Sequence, residues 1–349
     1  MKKNLLLFLA LLLIGTAAWF VYKKNTSSTI AGKPLSDFAI VDTAAVNKIV
    51  ITDMNGDRAT LERKQGDRLW TLNNNYFARK DATDLLLKTF NQIRVRGNVS
   101  DKMRETMMKL LVTSGKRVEI YTGENEPAKI YYVGTATEDH TGTVMLLEIP
   151  GIGRSEEPYI THMEGFTGFL TTRFFTSENE WRYTGIFEYP NLDFSKVQMI
   201  NHNNPNYSFE VNFKGGNDIA LSGGYLPSTG QFSISLSEFD TLAVKDFLLL
   251  FKKAHVESFN TLLRPEAADS MRAISPAFTI RVIDNAGKEN KVYLYLKRSP
   301  KMNYDENGNP VPYDLDYFYA RTASDEFAMA QMYTFEPLVR PLEYYLSKK

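Results

Sequence analysis

The chain has 349 residues, 41 Lys+Arg against 41 Asp+Glu, 43% hydrophobic residues and no cysteine. This hydrophobicity and charge balance exclude wholesale disorder, and without a basic excess nucleic acid is not expected as the main partner. The missing thiols exclude disulfides, thiolate metal sites, cysteine nucleophiles and lipid attachment through an N-terminal cysteine, while 22 Phe, 19 Tyr and 3 Trp suit a strand-rich core.

Leu5 to Tyr22 is a run of 18 uncharged residues between Lys2-Lys3 and Lys23-Lys24. As a helix it rises roughly 27 Å at about 1.5 Å per residue, near the hydrocarbon thickness of a bilayer. It lacks the polar stripe of a core helix, and Trp19 and Tyr22 lie at the end where amphipathic aromatics favour the headgroup layer. Gly15-Thr16-Ala17-Ala18 is a faint signal-peptide cleavage site, but the apolar run continues through Trp19-Phe20-Val21-Tyr22. A retained anchor over residues 1–24 is therefore expected, touching the membrane through residues 5–22. The flanking lysines nearly tie, and a short N-terminal flank most simply stays in the cytoplasm while the remainder is translocated. Without the four anchor lysines, 37 basic residues face 41 acidic ones, so the remainder is not drawn to anionic lipid.

Residues 25–36 are polar and carry Ser27, Ser28, Gly32 and Pro34, the composition of a linker. Strand patterns follow at Lys48–Thr52, Ala59–Arg63 and Leu69–Leu72, with Asn55-Gly56 as a hairpin turn. Asp81 is the expected N-cap of a helix with Leu86, Phe90 and Ile93 on one face, and a second helix is expected from Ser100 to Gly115 with Met103, Met107, Leu110 and Leu111 on one side. Strands resume at Arg117–Tyr121, Lys129–Val133, Val144–Glu148 and Tyr159–Thr161, and Met163–Phe175 reads as an apolar helix.

The second half repeats this order. Phe194-Ser195-Lys196-Val197 echoes Val46-Asn47-Lys48-Ile49, and Tyr207–Phe213 alternates as a strand. Asp240 caps a helix that places Phe247, Leu250, Phe251 and Ala254 on one face. Thr279-Ile280-Arg281-Val282 matches Arg117-Val118-Glu119-Ile120, and Lys291-Val292-Tyr293-Leu294 matches Lys129-Ile130-Tyr131-Tyr132, both at a spacing of 162. The expected fold is α+β: an N-terminal transmembrane helix, then two tandem, mainly antiparallel β-rich repeats each carrying helices, over residues 37–188 and 189–349.

Several local motifs also carry a resemblance. They are Phe38-Ala39-Ile40-Val41-Asp42-Thr43 leading into Val46-Asn47-Lys48-Ile49, then Leu61-Glu62-Arg63, Trp70-Thr71-Leu72, Tyr132-Val133-Gly134 and Gly142-Thr143-Val144-Met145. With the N-terminal apolar segment, this pattern resembles the membrane-anchored domain-of-unknown-function family of bacterial envelope proteins, often encoded beside gliding-motility-type ABC-transporter auxiliary proteins. The resemblance implies a single-pass protein of the bacterial inner membrane with its ectodomain in the periplasm. It also implies a protein partner in an envelope transport complex, and it supplies no catalytic residues.

Reactive constellations are scarce. No serine sits in a nucleophile elbow or three residues before a lysine, and no zinc-helix motif or phosphate loop occurs. Gly151-Ile152-Gly153 follows Pro150 and reads as a turn. His140, His162, His202 and His255 lie too far apart in sequence to form a local metal pair. Asp139-His140 reads as an exposed hairpin loop, and His162 as a satisfied polar group where a strand meets a helix. Asp305-Glu306-Asn307-Gly308-Asn309 imitates a calcium loop, but Pro310 stands where glycine is needed and Asp316 where a bidentate Glu is preferred. Glu156-Glu157 reads as a solvated turn. No catalytic, cofactor-binding or metal-binding residue is assigned.

Aromatics cluster at Tyr304, Tyr313, Tyr317, Phe318 and Tyr319, and at Tyr333, Phe335, Tyr344 and Tyr345. They suit core packing first and a sugar or peptide platform second. Glu336–Leu346 is an expected helix whose Leu338, Leu342 and Tyr345 pack onto its own repeat or dock a partner. These features favour a non-catalytic scaffold or interaction module accessory to an ABC-type transport or motility complex. The alternatives are an envelope glycan-binding protein or hydrolase with a site assembled from distant residues, and a periplasmic chaperone with an exposed apolar groove.

Overall fold

In the computed structural model, the described residues are 16 and 35–347, except 65, 68, 124, 260–263, 305 and 306. The expected anchor (Thr16 apart), linker residues 25–34, and Asp305 and Glu306 of the calcium-like loop lie outside them. Among the described residues no helix is long and apolar enough to cross a membrane. The chain divides into two compact units, Met1–Tyr183 and Thr184–Lys349, and its architecture is α+β with two large antiparallel sheets.

The first unit opens with β1 (Lys48–Thr52), β2 (Arg58–Glu62), β3 (Thr71–Leu72) and β4 (Tyr76–Phe77). Helix α1 (Lys80–Gln92) runs straight into β5 (Ile93–Asn98), and α2 (Asp101–Ser114) leads into β6 (Lys116–Tyr121). Then come β7 (Lys129–Ala136), β8 (Thr143–Ile149), β9 (Gly153–Arg154) and β10 (Tyr159–Met163). Spatially the sheet reads β4-β3-β2-β1-β6-β7-β8-β10-β5, with β9 paired to β8. The β1–β2 turn uses Gly56 at φ +89°, a conformation that favours glycine, as the Asn-Gly signal requires.

Alternation along these strands puts Ile49, Ile51, Leu61, Val118, Ile120, Tyr131, Val133, Met145 and Leu147 into one core, which Leu86 and Phe90 of α1 cover. Burying each such side chain contributes roughly 1.5–3 kcal/mol. The opposite face is covered locally by α2, where Leu111 is buried against Val99, Val144 and Leu146, with Met103 and Met107 alongside. The chain enters along Phe38–Ile40: Phe38 is buried, its carbonyl accepts from the Tyr131 hydroxyl, and Lys129 Nζ donates to the carbonyls of Asp37 (2.5 Å) and Ala39 (2.7 Å).

The second unit begins with β11 (Gly185–Phe187), which lies before the expected boundary at 188/189 yet pairs with β16 (Ala254–His255) of its own unit. Its sheet starts with β12 (Phe194–Asn201), β13 (Phe209–Gly215), β14 (Asp218–Leu226) and β15 (Gln231–Leu236). After helix α4 (Thr241–Leu249; α3 is the single turn Glu178–Trp181) come β16, β17 (Ser258–Phe259) and α5 (Pro265–Ala273). The unit continues with β18 (Phe278–Asp284), β19 (Glu289–Tyr304), β20 (Pro310–Thr322), β21 (Phe327–Gln331) and the turn α6 (Met332–Phe335). The strand order is β15-β14-β13-β12-β18-β19-β20-β21-β17. This is the connectivity of the first sheet, strand for strand, apart from the extra β9. The core faces correspond too: Ile49 opposite Ile120 in the first unit matches Val197 opposite Val282 in the second.

Four local expectations change. Asp81 is not the N-cap; Arg79 occupies that position, and Asp81 sits in the first turn, 2.6 Å from the Arg79 guanidinium. Met163–Phe175 is not helical, because Gly165 (φ +73°) and Gly168 (φ +149°) turn the chain and only Thr171–Arg173 forms a 3₁₀ turn. The α4 helix stops at Leu249, so Leu250 lies on a following 3₁₀ turn and Ala254 on β16, although Phe247, Phe251 and Ala254 still share one core. Glu336–Leu346 is two 3₁₀ turns, Glu336–Val339 and Leu342–Tyr345, split at Pro341, which cannot continue a helix. Leu338 and Tyr345 are nonetheless buried in their own unit's core, Tyr345 with its ring 4.9 Å from that of Phe209.

Burial pushes the Tyr131 hydroxyl pKa well up, with nearby Asp37 adding to the effect, and burial does the same to Tyr345 in the other unit. An acid whose folded pKa is raised stabilises the fold fully below its unfolded pKa, about 10 for tyrosine, and that contribution is lost as pH rises above it. Urea midpoints should therefore fall above about pH 10. Tyr131→Phe should flatten the first unit's part of that slope while costing about 1 kcal/mol at pH 7 through the lost hydrogen bond to Phe38, read by the shift in midpoint.

Candidate functional site

Each histidine has its own local setting. His140 lies at the β7–β8 turn with φ +52°. His162 lies within β10 opposite Arg94 rather than before a helix. In the second unit, His202 Nε2 is 2.8 Å from the Thr279 hydroxyl, and His255 Nδ1 is 3.4 Å from that of Thr184. Beside His140, the hydroxyls of Thr137 and Thr141 and the Thr141 N–H hold the Asp139 carboxyl well below the usual carboxylate range. A carboxylate so stabilised is a poor general base. Among the described residues no three His, Asp or Glu side chains are grouped to hold a metal ion.

Two open clefts lie in the first unit. One, of about 420 Å³, is lined by Ile152, Arg154, Glu156, Glu157 and Tyr159. The expected Glu156-Glu157 turn forms its rim, where Glu157 accepts from Asn98 (3.3 Å) and pairs with Arg104 (3.7 Å). The other, of about 410 Å³, is lined by Lys48, Glu62, Arg63, Asp67 and Thr71. Its Lys48 and Glu62 pair at 2.7 Å, and Arg63 donates to the carbonyls of Val46 and Thr43 and lies over the Trp70 ring at 4.6 Å. In both clefts the charged groups mainly hold the local fold together.

The feature that stands out is a hairpin arm. β18 accompanies β19 only as far as Leu294, and β21 accompanies β20 only from Tyr317 onward, so among the described residues between 298 and 313 the two strands pair with each other alone. At the corresponding place in the first unit, the last β7–β8 pair, Ala136–Thr143, is closed by residues 137–142. The arm leaves the sheet through a bulge, where Leu296 faces Phe318 and Arg298 already faces Tyr313. Asp314 organises that bulge: its carboxylate accepts from the N–H groups of Asp316 (2.9 Å) and Tyr317 (3.1 Å) and from Lys297. Lys297 holds the Asp314 carboxyl below its ordinary range, and its ammonium also lies 5.4 Å from the centre of the Tyr317 ring.

Beyond the bulge, Asn303 Nδ2 donates to the Tyr313 carbonyl (2.5 Å). Large apolar side chains face solvent on the arm and at its base: Tyr304 is 62% exposed, Met302 57% and, in the bulge, Leu315 48%. Pro300, Pro310 and Pro312 lack N–H donors and, with Lys301, blunt the open edges of the ribbon. An arm built this way presents side chains rather than a free strand edge. Of the aromatic cluster noted in the sequence, Phe318 is core, Tyr304 is on the arm, and Tyr313 and Tyr317 are at its base. Met302, Leu315 and the Lys297–Asp314 pair were not marked by the sequence pattern; the signal for them is the stretch from Lys297 to Tyr317, too long for a hairpin turn and dotted with prolines.

No family model, curated protein or solved structure matches the chain.

If the Lys297–Asp314 pair pins the arm, Asp314→Ala should raise amide exchange over residues 298–313 by roughly five-fold, the equivalent of a pair worth about 1 kcal/mol. Exchange in β12 and β18 should stay unchanged, and a uniform rise across the sheet would assign the pair to global stability instead.

Proposed function

We propose that the chain is a single-pass protein of a bacterial inner membrane, anchored through residues 5–22, with two tandem repeats that meet between Tyr183 and Thr184 on the periplasmic side. The repeats act as a non-catalytic scaffold, and the partner is a protein of an ABC-type transport or motility complex. The anchor rests on the uncharged run between Lys2-Lys3 and Lys23-Lys24, and descent from one duplicated module is supported by the shared strand order. The observation that carries the scaffold reading is the arm, which carries exposed Met302 and Tyr304 away from the sheet, with exposed Leu315 at its base, on only one of two otherwise corresponding hairpins. Aromatic and methionine side chains of this kind are what interface cores use, and a duplicated module bearing one unequal arm has a single preferred binding end.

A second reading is an envelope glycan-binding protein, favoured by the exposed Tyr304 ring and by Tyr317 beside Lys297. The two readings separate in one experiment. A photoreactive residue in place of Tyr304, activated in intact membranes, should capture subunits of an ABC-type transporter. Deleting residues 1–24 should lower that yield roughly a hundredfold, because the tether no longer concentrates the partners. Capture of peptidoglycan or lipopolysaccharide fragments favours the second reading, and full function of a soluble chain lacking residues 1–24 defeats the first.

A further inference from the structure

The ends of the two sheets differ in how they are protected. In the first sheet, β4 is two residues long, and an extended stretch of its own unit runs along it. The Tyr183 N–H donates to the Phe77 carbonyl (2.8 Å), and the Arg79 N–H donates to that of Trp181 (2.7 Å). The opposite edge, β5, carries Arg94 and Arg96 and a register shift, both of which discourage pairing. In the second sheet, β17 is two residues long. The remaining edge, β15, occupies the position of β4 but has six residues, Gln231-Phe232-Ser233-Ile234-Ser235-Leu236, without charge or proline. Its outer side pairs with no described strand.

The side chains of β15 sharpen the point. Its register with β14 sets Leu236 opposite Leu221, Ile234 opposite Gly223 and Phe232 opposite Tyr225. Leu221 is in the core, so Phe232, Ile234 and Leu236 are on the core-facing side of the sheet. Ile234 is nevertheless 55% exposed, so the apolar face runs on past its cover.

We propose that β15 pairs antiparallel with β15 of a second copy of this chain, about a twofold axis at Ile234. Antiparallel partners place directly opposed side chains on one face, so this register sets Ile234 against Ile234, Phe232 against Leu236 and Ser233 against Ser235. Apolar meets apolar and hydroxyl meets hydroxyl, with no like charges opposed. A twofold contact of this kind is closed and self-limiting, so it gives a dimer and not a fibre. The first unit shows the same mode of closure in cis, where Trp181–Tyr183 lines β4. The proposal does not depend on the anchored-scaffold reading, because it concerns the edge of one sheet wherever the chain resides.

The natural sequence has no cysteine, so a single introduced thiol reports on one position. The test uses the full chain in mild detergent. Ile234→Cys should give a disulfide-linked dimer under mild oxidation, and Ser233→Cys, whose own copy is displaced along the strand, should give less than about a tenth as much, given the short Cβ separation a disulfide needs. Adding Ser233→Lys and Ser235→Lys together, both on the solvent face and directly opposed across the junction, should cut the Ile234→Cys yield by at least about tenfold through like charges. The unaltered chain should also show concentration-dependent dimerisation by sedimentation. A chain that sediments as a monomer throughout, Ile234→Cys that stays monomeric or crosslinks to another protein, or a dimer indifferent to the paired Ser233→Lys and Ser235→Lys would each overturn the proposal.

Discussion

Each sheet depends on a long-range pairing that joins its two halves. In the first unit β1 must find β6 across three hairpins, β5 and two helices, so that Ile49 lies opposite Ile120 and Ile51 opposite Val118. In the second, β12 must find β18, with Val197 opposite Val282 and Met199 opposite Ile280. Apart from the edge pairings of β5 with β10 and β17 with β21, which are also distant in sequence, the rest is mostly hairpins that local turns can set. Closing a loop of this length costs chain entropy before any contact repays it, so the buried pairs at this seam must carry much of the stabilisation. A helix before and a helix after the fifth strand are the means by which both units solve the same problem: α1 covers the seam while the chain is carried to the far edge and back.

Much of this was legible in the sequence where the signal is local. Lys48–Thr52 is a β-branched run followed by Asn55-Gly56, so strand and turn announce themselves; Ser100 and Gly115 bracket α2, and Asp240 caps α4 by accepting from the N–H groups of Leu242 and Ala243. What failed was apolar composition read as periodicity. Leu170 and Phe174 are fully buried, as a helix would make them, but Gly165 and Gly168 deliver them there through turns. Pro341 does the same for Leu338 and Tyr345. The repeat offset shows a subtler limit. A spacing of 162 is right for β6 and β18, yet β7 and β19 correspond at 161, since Val118 faces Tyr131 while Ile280 faces Val292. One residue fewer in the intervening hairpin turns every side chain to the other face, and a match of similar apolar letters cannot detect that slip.

The arm illustrates why a surface is harder to foresee than a core. Tyr304, Tyr313 and Tyr317 stand out in the sequence as aromatics, but whether an aromatic is buried depends on which strands flank it, and that is a property of sheet order rather than of the residues themselves. Sheet order follows from the long-range pairing, which leaves no local trace. The prolines at 300, 310 and 312 carried the missing information, because a ribbon that tolerates them must have open edges.

The incoming segment has a mechanical meaning. Phe38–Ile40 is gripped sideways along its length: the Ile40 N–H donates to the Phe90 carbonyl, Asn91 donates to the carbonyls of Ile40 and Val41, and Lys129 and Tyr131 hold the carbonyls of Asp37, Phe38 and Ala39. Tension applied from the N-terminal side would strain these bonds together instead of peeling them one at a time. The load would pass into α1 and β7, near the middle of the sheet, and spare its frayed margins. A segment fastened in this manner can be tugged without unravelling what it holds.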